Sequence, residues 1–567
     1  MDWQRTLIIA ALAVVSYLMI LQYQKDYIDT PAAIQAETSA QTAASADQVP
    51  TPDSASAPPS AASADVPQPA PTAQSQAVPV TQPAGQSQLI EVETDLLQAR
   101  IDPVGGDIVS LALKAYPVSI AQPNQPFQLL RQDGQQFYIA QSGLVGAQGT
   151  DSAAGRPRYV SSKSQYRMDG DSLVVDLTYN QDTGAQITKT FTFQRGSYLI
   201  DVNTRVDNRG ASPWQAGMYG QIQRDGSPDP GTNTGAALGM ITFLGAAYWD
   251  QEKPYNKIAL EDIGSTALDK PIPGGWLAMI QHYFLSAWIP DQNVTHHYNT
   301  RKTQGRDNYI ISFTTPAVNV APGASHTFSA KFYAGPKIQK NLEAILPDKG
   351  LDLAIDYGPL FFISKLLFWL LSFFHGLTAN WGVAIILLTF VVKLIFLYPS
   401  AISYRSMAKM RKVQPLLARL KEQFGDDRQK MSVEMMNIYK REKINPLGGC
   451  LPILIQMPVF LALYWALQES VELRQAPFFF WIKDLSVMDP WFVLPLIMGG
   501  TMFIQQMLNP APTDPMQARV MKFMPVIFTV MFLFFPAGLV LYWVTNNTLS
   551  ILQQWLITRS IEAGDKK

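Results

Sequence analysis

A single lysine, Lys393, interrupts the apolar run Trp381-Gly-Val-Ala-Ile-Ile-Leu-Leu-Thr-Phe-Val-Val-Lys393-Leu-Ile-Phe-Leu-Tyr-Pro399, and it is the only formally charged residue there. The run has the length and character of a membrane-spanning helix, and a charge in hydrocarbon is expensive enough to mark a functional position. Lys393 lies roughly 18 Å along the helix from Trp381 at about 1.5 Å per residue, well below one surface and short of the other. Two readings follow. Either the amine snorkels to the nearer headgroups, or it sits in a charged, wetted cavity open on one side of the membrane.

The chain has 567 residues, too many for one core, so several domains are expected. Its net charge of −1 gives no ground for sequence-specific nucleic-acid binding, since the basic residues cluster by region. The one cysteine, Cys450, excludes an intramolecular disulfide framework. None of the five histidines shows ligand spacing, and His296 and His297, adjacent on a strand, point to opposite faces. No metal or cofactor is expected. Residues 1–27 open with Arg5 and an apolar stretch from Leu7 to Leu21 without a clear cleavage site, and read as an uncleaved transmembrane anchor with its N-terminus in the cytoplasm. Residues 28–88 are rich in Ala, Pro, Ser and Gln and read as a disordered tether. Its root-mean-square reach is about 40 Å.

From Leu89 the pattern turns to period two. Ile187-Thr-Lys-Thr-Phe191-Thr-Phe193 and Tyr198-Leu-Ile200-Asp-Val202-Asn-Thr204-Arg-Val206 flank the turn Arg195-Gly-Ser197, which predicts a hairpin with one wet face. Residues 89–346, closing with a linking helix at 338–346, read as a large antiparallel β-sandwich without phosphate loop, catalytic spacing or metal motif.

Beyond it the chain turns oily. In 357–377 the polar residues Ser364, Lys365, Ser372 and His375 fall on one arc, which suits an amphipathic helix lying in the interface plane. Residues 380–560 carry the spans at 381–399, 450–468, 491–508, 523–535 and 538–557. The loop 400–449 holds eleven Lys or Arg against five acids, so it is placed in the cytoplasm. Within it, residues 403–443 read as an antiparallel helical hairpin. Met407, Met410, Val413, Leu417, Leu420 and Phe424 face Met431, Met435 and Ile438 across the break Gly425-Asp426-Asp427. The fold class is therefore a polytopic α-helical membrane protein with six transmembrane helices and a large periplasmic β-sandwich. Both termini are cytoplasmic.

Ser406-Met-Ala-Lys-Met410, Asn445-Pro-Leu-Gly-Gly-Cys450, Pro452, Gln456-Met-Pro458, Asp514-Pro-Met516, Met524-Pro-Val-Ile-Phe528 and Phe535-Pro-Ala-Gly-Leu-Val-Leu-Tyr542 closely resemble the YidC/Oxa/Alb membrane protein insertase family. The match is dense over about 350–560, and the anchor, tether and β-domain match the Gram-negative form in order and size. The resemblance implies an inner-membrane insertase and chaperone, not an enzyme, with a five-helix core around a hydrophilic groove open to the cytoplasm and lipid. It also implies nascent integral membrane proteins as substrates, and the Sec translocon (SecYEG, SecDF), ribosomes and the bilayer as partners. The family commonly has arginine where this chain has Lys393, so the charge is kept and the planar fork lost. Thr389, Gln456 and Gln505 join Lys393 as groove residues, while Met457, Pro458, Phe460, Tyr542 and Trp543 correspond to substrate-contacting positions. Trp543 stands where a second tyrosine is common.

Two rivals stand beside an insertase. A membrane transporter requires inverted repeats or interrupted half-helices, which the segments lack. A purely structural assembly factor requires the β-domain to be indispensable, whereas no groove residue lies in it.

Overall fold

The computed structural model describes residues 88–133, 136–152, 155–229, 242–265, 268–303, 307–424, 427–442, 444, 451–509 and 515–564. The expected anchor (1–27), the tether up to residue 87, Gly425, Asp426, the stretch 445–450 that includes Cys450, and Asp514 lie outside them.

Alternation builds the sandwich. Strand Ala185–Gln194 turns Ala185, Ile187, Lys189, Phe191 and Phe193 inward and leaves the threonines between them half-exposed. It pairs antiparallel with Leu199–Asn208, setting Phe193 opposite Ile200, Phe191 opposite Val202 and Ile187 opposite Val206. Among the described residues the strands form an 11-stranded and a 9-stranded sheet. Trp214, Trp276 and Trp288 are fully buried in the core. One pairing departs from the antiparallel expectation: Ile90–Glu93 runs parallel to Gln165–Arg167. A parallel neighbour needs a long crossover, which the chain between Glu93 and Gln165 supplies.

The inner face also holds a charge. Lys189 is fully buried, and its Nζ donates to the carbonyls of Gly105 (2.9 Å), Gly106 (2.8 Å) and Ser142 (2.9 Å). Beside it Arg156 bridges Asp107 and Asp151. Burial pushes the Lys189 amine down to about 8.

The helical half follows. Among the described residues its α-helices are α1 (Gln339–Ile345), α2 (Phe361–Thr378), α3 (Trp381–Ile395), α4 (Leu397–Phe424), α5 (Arg428–Arg441), α6 (Leu451–Glu469), α7 (Val493–Leu508), α8 (Pro515–Phe532) and α9 (Ala537–Gly564). α9 packs on α3, α4, α6 and α7, and α2 packs on α3 and α6. α8 starts at Pro515, ahead of the span expected at 523–535, so Arg519 and Lys522 lie on its first turns. Proline is favoured at a first helical position because its missing N–H is unpaired there anyway. Helices α4 and α5 form the hairpin, where Leu417, Ile438, Tyr439 and Ile444 bury against Met410, Val413, Leu420 and Met435. By length and apolarity alone, α2 is the single described helix that reaches a full span, while α3 continues into α4 through a 68° bend.

The polar arc of α2 is split between its inner and outer sides: Lys365 is exposed and Ser372 and His375 are half-buried. Ser364 is fully buried and its hydroxyl donates to the Tyr357 and Leu360 carbonyls (3.1 and 3.2 Å). Lys365 pairs with Glu343 (2.6 Å) and Asp352 (3.1 Å). The outward stripe is Phe362, Leu366, Trp369, Phe373 and Leu377, all more than half exposed. The local turn before α2 satisfies its polar groups, which frees the oily face.

Sandwich and helices are fastened together at the last turn of α6. Lys337 Nζ meets Glu469 Oε2 at 2.7 Å with both side chains buried. His282 Nε2 donates to the Gln468 carbonyl (2.8 Å). Burial and the Lys337 ammonium push that imidazole down to about 4, so it is neutral. Just beyond, Arg474 donates to the Pro117 and Val118 carbonyls and lies over the Phe127 and Phe284 rings. Burial pushes the neighbouring Glu472 carboxyl up from 4.5 to about 7. The folded chain therefore holds this proton more tightly than the unfolded one, and stability falls as pH rises between those two values. Thermal unfolding in detergent should show a higher midpoint at about pH 5 than at about pH 8, and Glu472→Gln should remove this group's part of the difference.

Candidate functional site

The side chains that matter converge on one face of α9. Trp543, Asn546, Asn547, Ser550 and Gln554 recur at three- and four-residue steps, so a single helix presents them as one strip. Lys393 enters this strip from α3. It is 6% exposed, and its Nζ donates to Ser550 Oγ at 2.6 Å. Ser550 Oγ in turn donates to the Asn546 carbonyl (2.7 Å), and the Tyr404 hydroxyl of α4 faces the same serine. Among the described residues no carboxylate pairs with Lys393. Among the described residues the ammonium is held by the Ser550 hydroxyl.

The rest of the strip is only partly satisfied. Asn547 Nδ2 donates to Thr501 Oγ1 of α7 (3.3 Å), and Gln554 Nε2 donates to the Leu508 carbonyl and Asn509 Oδ1 (3.1 Å each). Asn546 Oδ1, Gln554 Oε1, Trp543 Nε1 and Gln456 Nε2 are buried without a partner among the described residues. In a dry apolar interior each such group costs about 1–3 kcal/mol. Three of the four lie on α9, the helix that also carries the acceptor of Lys393, and the fourth lies on α6.

The residues expected at the groove are distributed as follows. Thr389 is fully buried, and its hydroxyl is spent on the Ile385 carbonyl (2.7 Å) of its own helix. Gln456 and Gln505 are half-buried, on α6 and α7; Gln505 joins none of the hydrogen bonds above. Phe460 meets Trp543 edge-on at 4.6 Å, and Phe532 flanks the same indole at 5.6 Å. Pro458 is half-buried within α6, and Met457 is 40% exposed. Tyr542, one residue before Trp543, is 1% exposed and turned into the core. Ser550, Tyr404, Thr501 and Gln554 escaped the sequence reading. The spacing from Asn546 to Ser550 to Gln554 was the available signal.

With Ser550→Ala the Lys393 ammonium loses its hydroxyl acceptor. A hydrogen bond to a charged group contributes about 2 kcal/mol, so the thermal midpoint in detergent should fall, while Ser550→Thr should keep most of the loss from occurring.

Comparison with known proteins completes the description. The family described as YidC periplasmic domain matches residues 89–370, and the family described as 60Kd inner membrane protein matches residues 373–565. A membrane protein insertase YidC of Alcanivorax borkumensis is 52% identical over 99% of this chain and 100% of that protein. Another, of Stutzerimonas stutzeri, is 54% identical over 100% of both. A crystal structure of an active YidC insertase aligns with 83% of this chain and 92% of its own, at 18% identity and a TM-score of 0.37. With both halves matched in order and full-length relatives above half identity, the chain belongs to the YidC family of membrane protein insertases.

Proposed function

We propose that this chain inserts integral membrane proteins and helps them fold, using the polar strip of α9, α3 and α6 as a groove for the polar tail of the substrate. The observation that carries this is Lys393, an ammonium without a described counterion, set among buried, unpartnered polar atoms inside the apolar half of the chain. Carrying a polar tail through hydrocarbon costs several kcal/mol for each unpaired peptide group. A half-membrane groove wetted from the cytoplasm lowers that barrier without making or breaking a bond. Short helices reduce it further. α3 has 15 residues and α7 has 16, about 22 and 24 Å at 1.5 Å per residue, against a hydrocarbon thickness of about 30 Å. Such mismatch thins the bilayer locally.

Topology follows from parity. The start of α2 is tied to the sandwich side through Lys365, and the end of α6 through Glu469 and Lys337. A chain that leaves and returns on one side crosses an even number of times. α3 and α6 supply two crossings, which supports α2 lying in the outer interface despite its length, its oily stripe towards lipid. The hairpin then lies in the cytoplasm, where it is the docking surface for ribosomes, and the chain works alone or beside the Sec translocon. Residues 89–346 form the periplasmic domain and 380–560 the core. The termini are cytoplasmic.

In this mechanism Lys393 attracts acidic residues of the tail while the apolar span slides into lipid. Two unit charges 4 Å apart attract by about 1 kcal/mol in water and about 4 kcal/mol at an effective dielectric of about 20. Lys393→Ala should therefore lower insertion of a substrate with an acidic tail by about tenfold relative to the same substrate with a neutral tail. Lys393→Arg should retain both, and Lys393→Glu should fail for the acidic tail. Equal losses for the two tails would remove the charge from the mechanism.

A further inference from the structure

The outer link between α6 and α7 carries an aromatic turn that the groove does not use. Residues Pro477-Phe-Phe-Phe-Trp481-Ile482 contain no charge, and Lys483 follows. The turn is closed by hydrogen bonds from Phe478 N to the Ile482 carbonyl (3.0 Å) and from Ile482 N to the Phe479 carbonyl (3.3 Å). It presents Phe479 at 51% and Phe480 at 84% exposure, the latter with φ +58°. A bulky residue in the left-handed region is strained and persists only where its surroundings fix it. Here they do. The fully buried Asp489 accepts from Trp481 Nε1 (2.9 Å), Trp491 N (3.0 Å) and Leu494 N (2.7 Å), and the Trp481 and Trp491 rings stack at 5.8 Å. The fold thus holds two phenyl rings outward on a rigid base.

Their level is set by Phe478. Its ring lies so close to Gly382 that a Cβ there would sit 2.0 Å from it, which places the turn against the first residues of α3. That is where α2, with its outward stripe of Phe362, Leu366, Trp369, Phe373 and Leu377, hands over to α3. The turn therefore lies beside the junction of α2 and α3. Tryptophans with a flanking lysine are characteristic of the headgroup level of a bilayer.

We propose that the turn Phe478–Trp481 is a lipid-docking element whose Phe479 and Phe480 rings sit among the outer-leaflet acyl chains just beneath the headgroups. The partner is the bilayer itself, and the inference rests on the reading that the helical half is embedded in it. Docking there fixes the depth of the outer end of α3.

The test uses the full chain with Cys450→Ser in phosphatidylethanolamine/phosphatidylglycerol vesicles, carrying a polarity-sensitive thiol dye at Phe480→Cys. Leu394→Cys, exposed on α3, and Val174→Cys, exposed on the sandwich, serve as references. At 480, quenching by lipids spin-labelled near the headgroup should exceed quenching by deep labels, and iodide quenching should be about fivefold weaker than at 174. Phe479→Cys should repeat the result, so a folding fault in one variant does not decide it. Iodide quenching at 479 and 480 equal to that at 174, with 394 lipid-quenched, overturns the docking and leaves the membrane reading intact. Failure of lipid quenching at 394 as well overturns both.

Discussion

The ammonium of Lys393, buried in the apolar half and held by one serine hydroxyl, is the constraint around which the helical core is arranged. An ion so placed needs compensation, and a carboxylate on a neighbouring helix would supply it most directly. This chain supplies dipoles instead: Ser550 Oγ, relayed to the Asn546 carbonyl, with the Tyr404 hydroxyl alongside. Such a cradle keeps the charge without neutralising it. The positive potential remains available to a visiting group, which a buried ion pair would cancel.

The opposite end of the core follows a different logic. Lys337 and Glu469 form a closed pair, as do Arg156 and Asp107 within the sandwich. Buried pairs of this kind contribute little net stability, but breaking one costs about 3–5 kcal/mol, so they specify geometry. The pair at Glu469 fixes the outer end of α6, the helix that carries Gln456, Met457 and Phe460 further down. The β-domain is therefore fastened to the core. Closed pairs position the scaffold, whereas Lys393 has no carboxylate partner among the described residues.

Much of this was legible in the sequence because it depends on local period. The alternation from Ile187 to Val206 places its hairpin in register, and the oily runs give the helices. Full-length relatives bear out the family read from the membrane motifs. The contacts that could not be read are those between distant residues. Lys337 and Glu469 stand 132 positions apart, and nothing local distinguishes either from a surface charge. The partner of Ser364 on α2 was equally hidden: its hydroxyl bonds to the turn at Tyr357, which the arc of polar residues gave no sign of. Ser550 and Gln554 were missed although their spacing from Asn546 was visible, because serine in a helix commonly bonds to its own backbone. Its use as the acceptor for Lys393 requires α3 and α9 to be packed together.

Wetting of Lys393 from the cytoplasm can be measured with Lys393→Cys in a Cys450→Ser background, by reaction with a small, charged, membrane-impermeant thiol reagent added to one face at a time. A groove open to the cytoplasm requires modification from the cytoplasmic face and protection from the outer face, with a bound substrate slowing the reaction. Modification from the outer face, or none from either, would rule such a groove out.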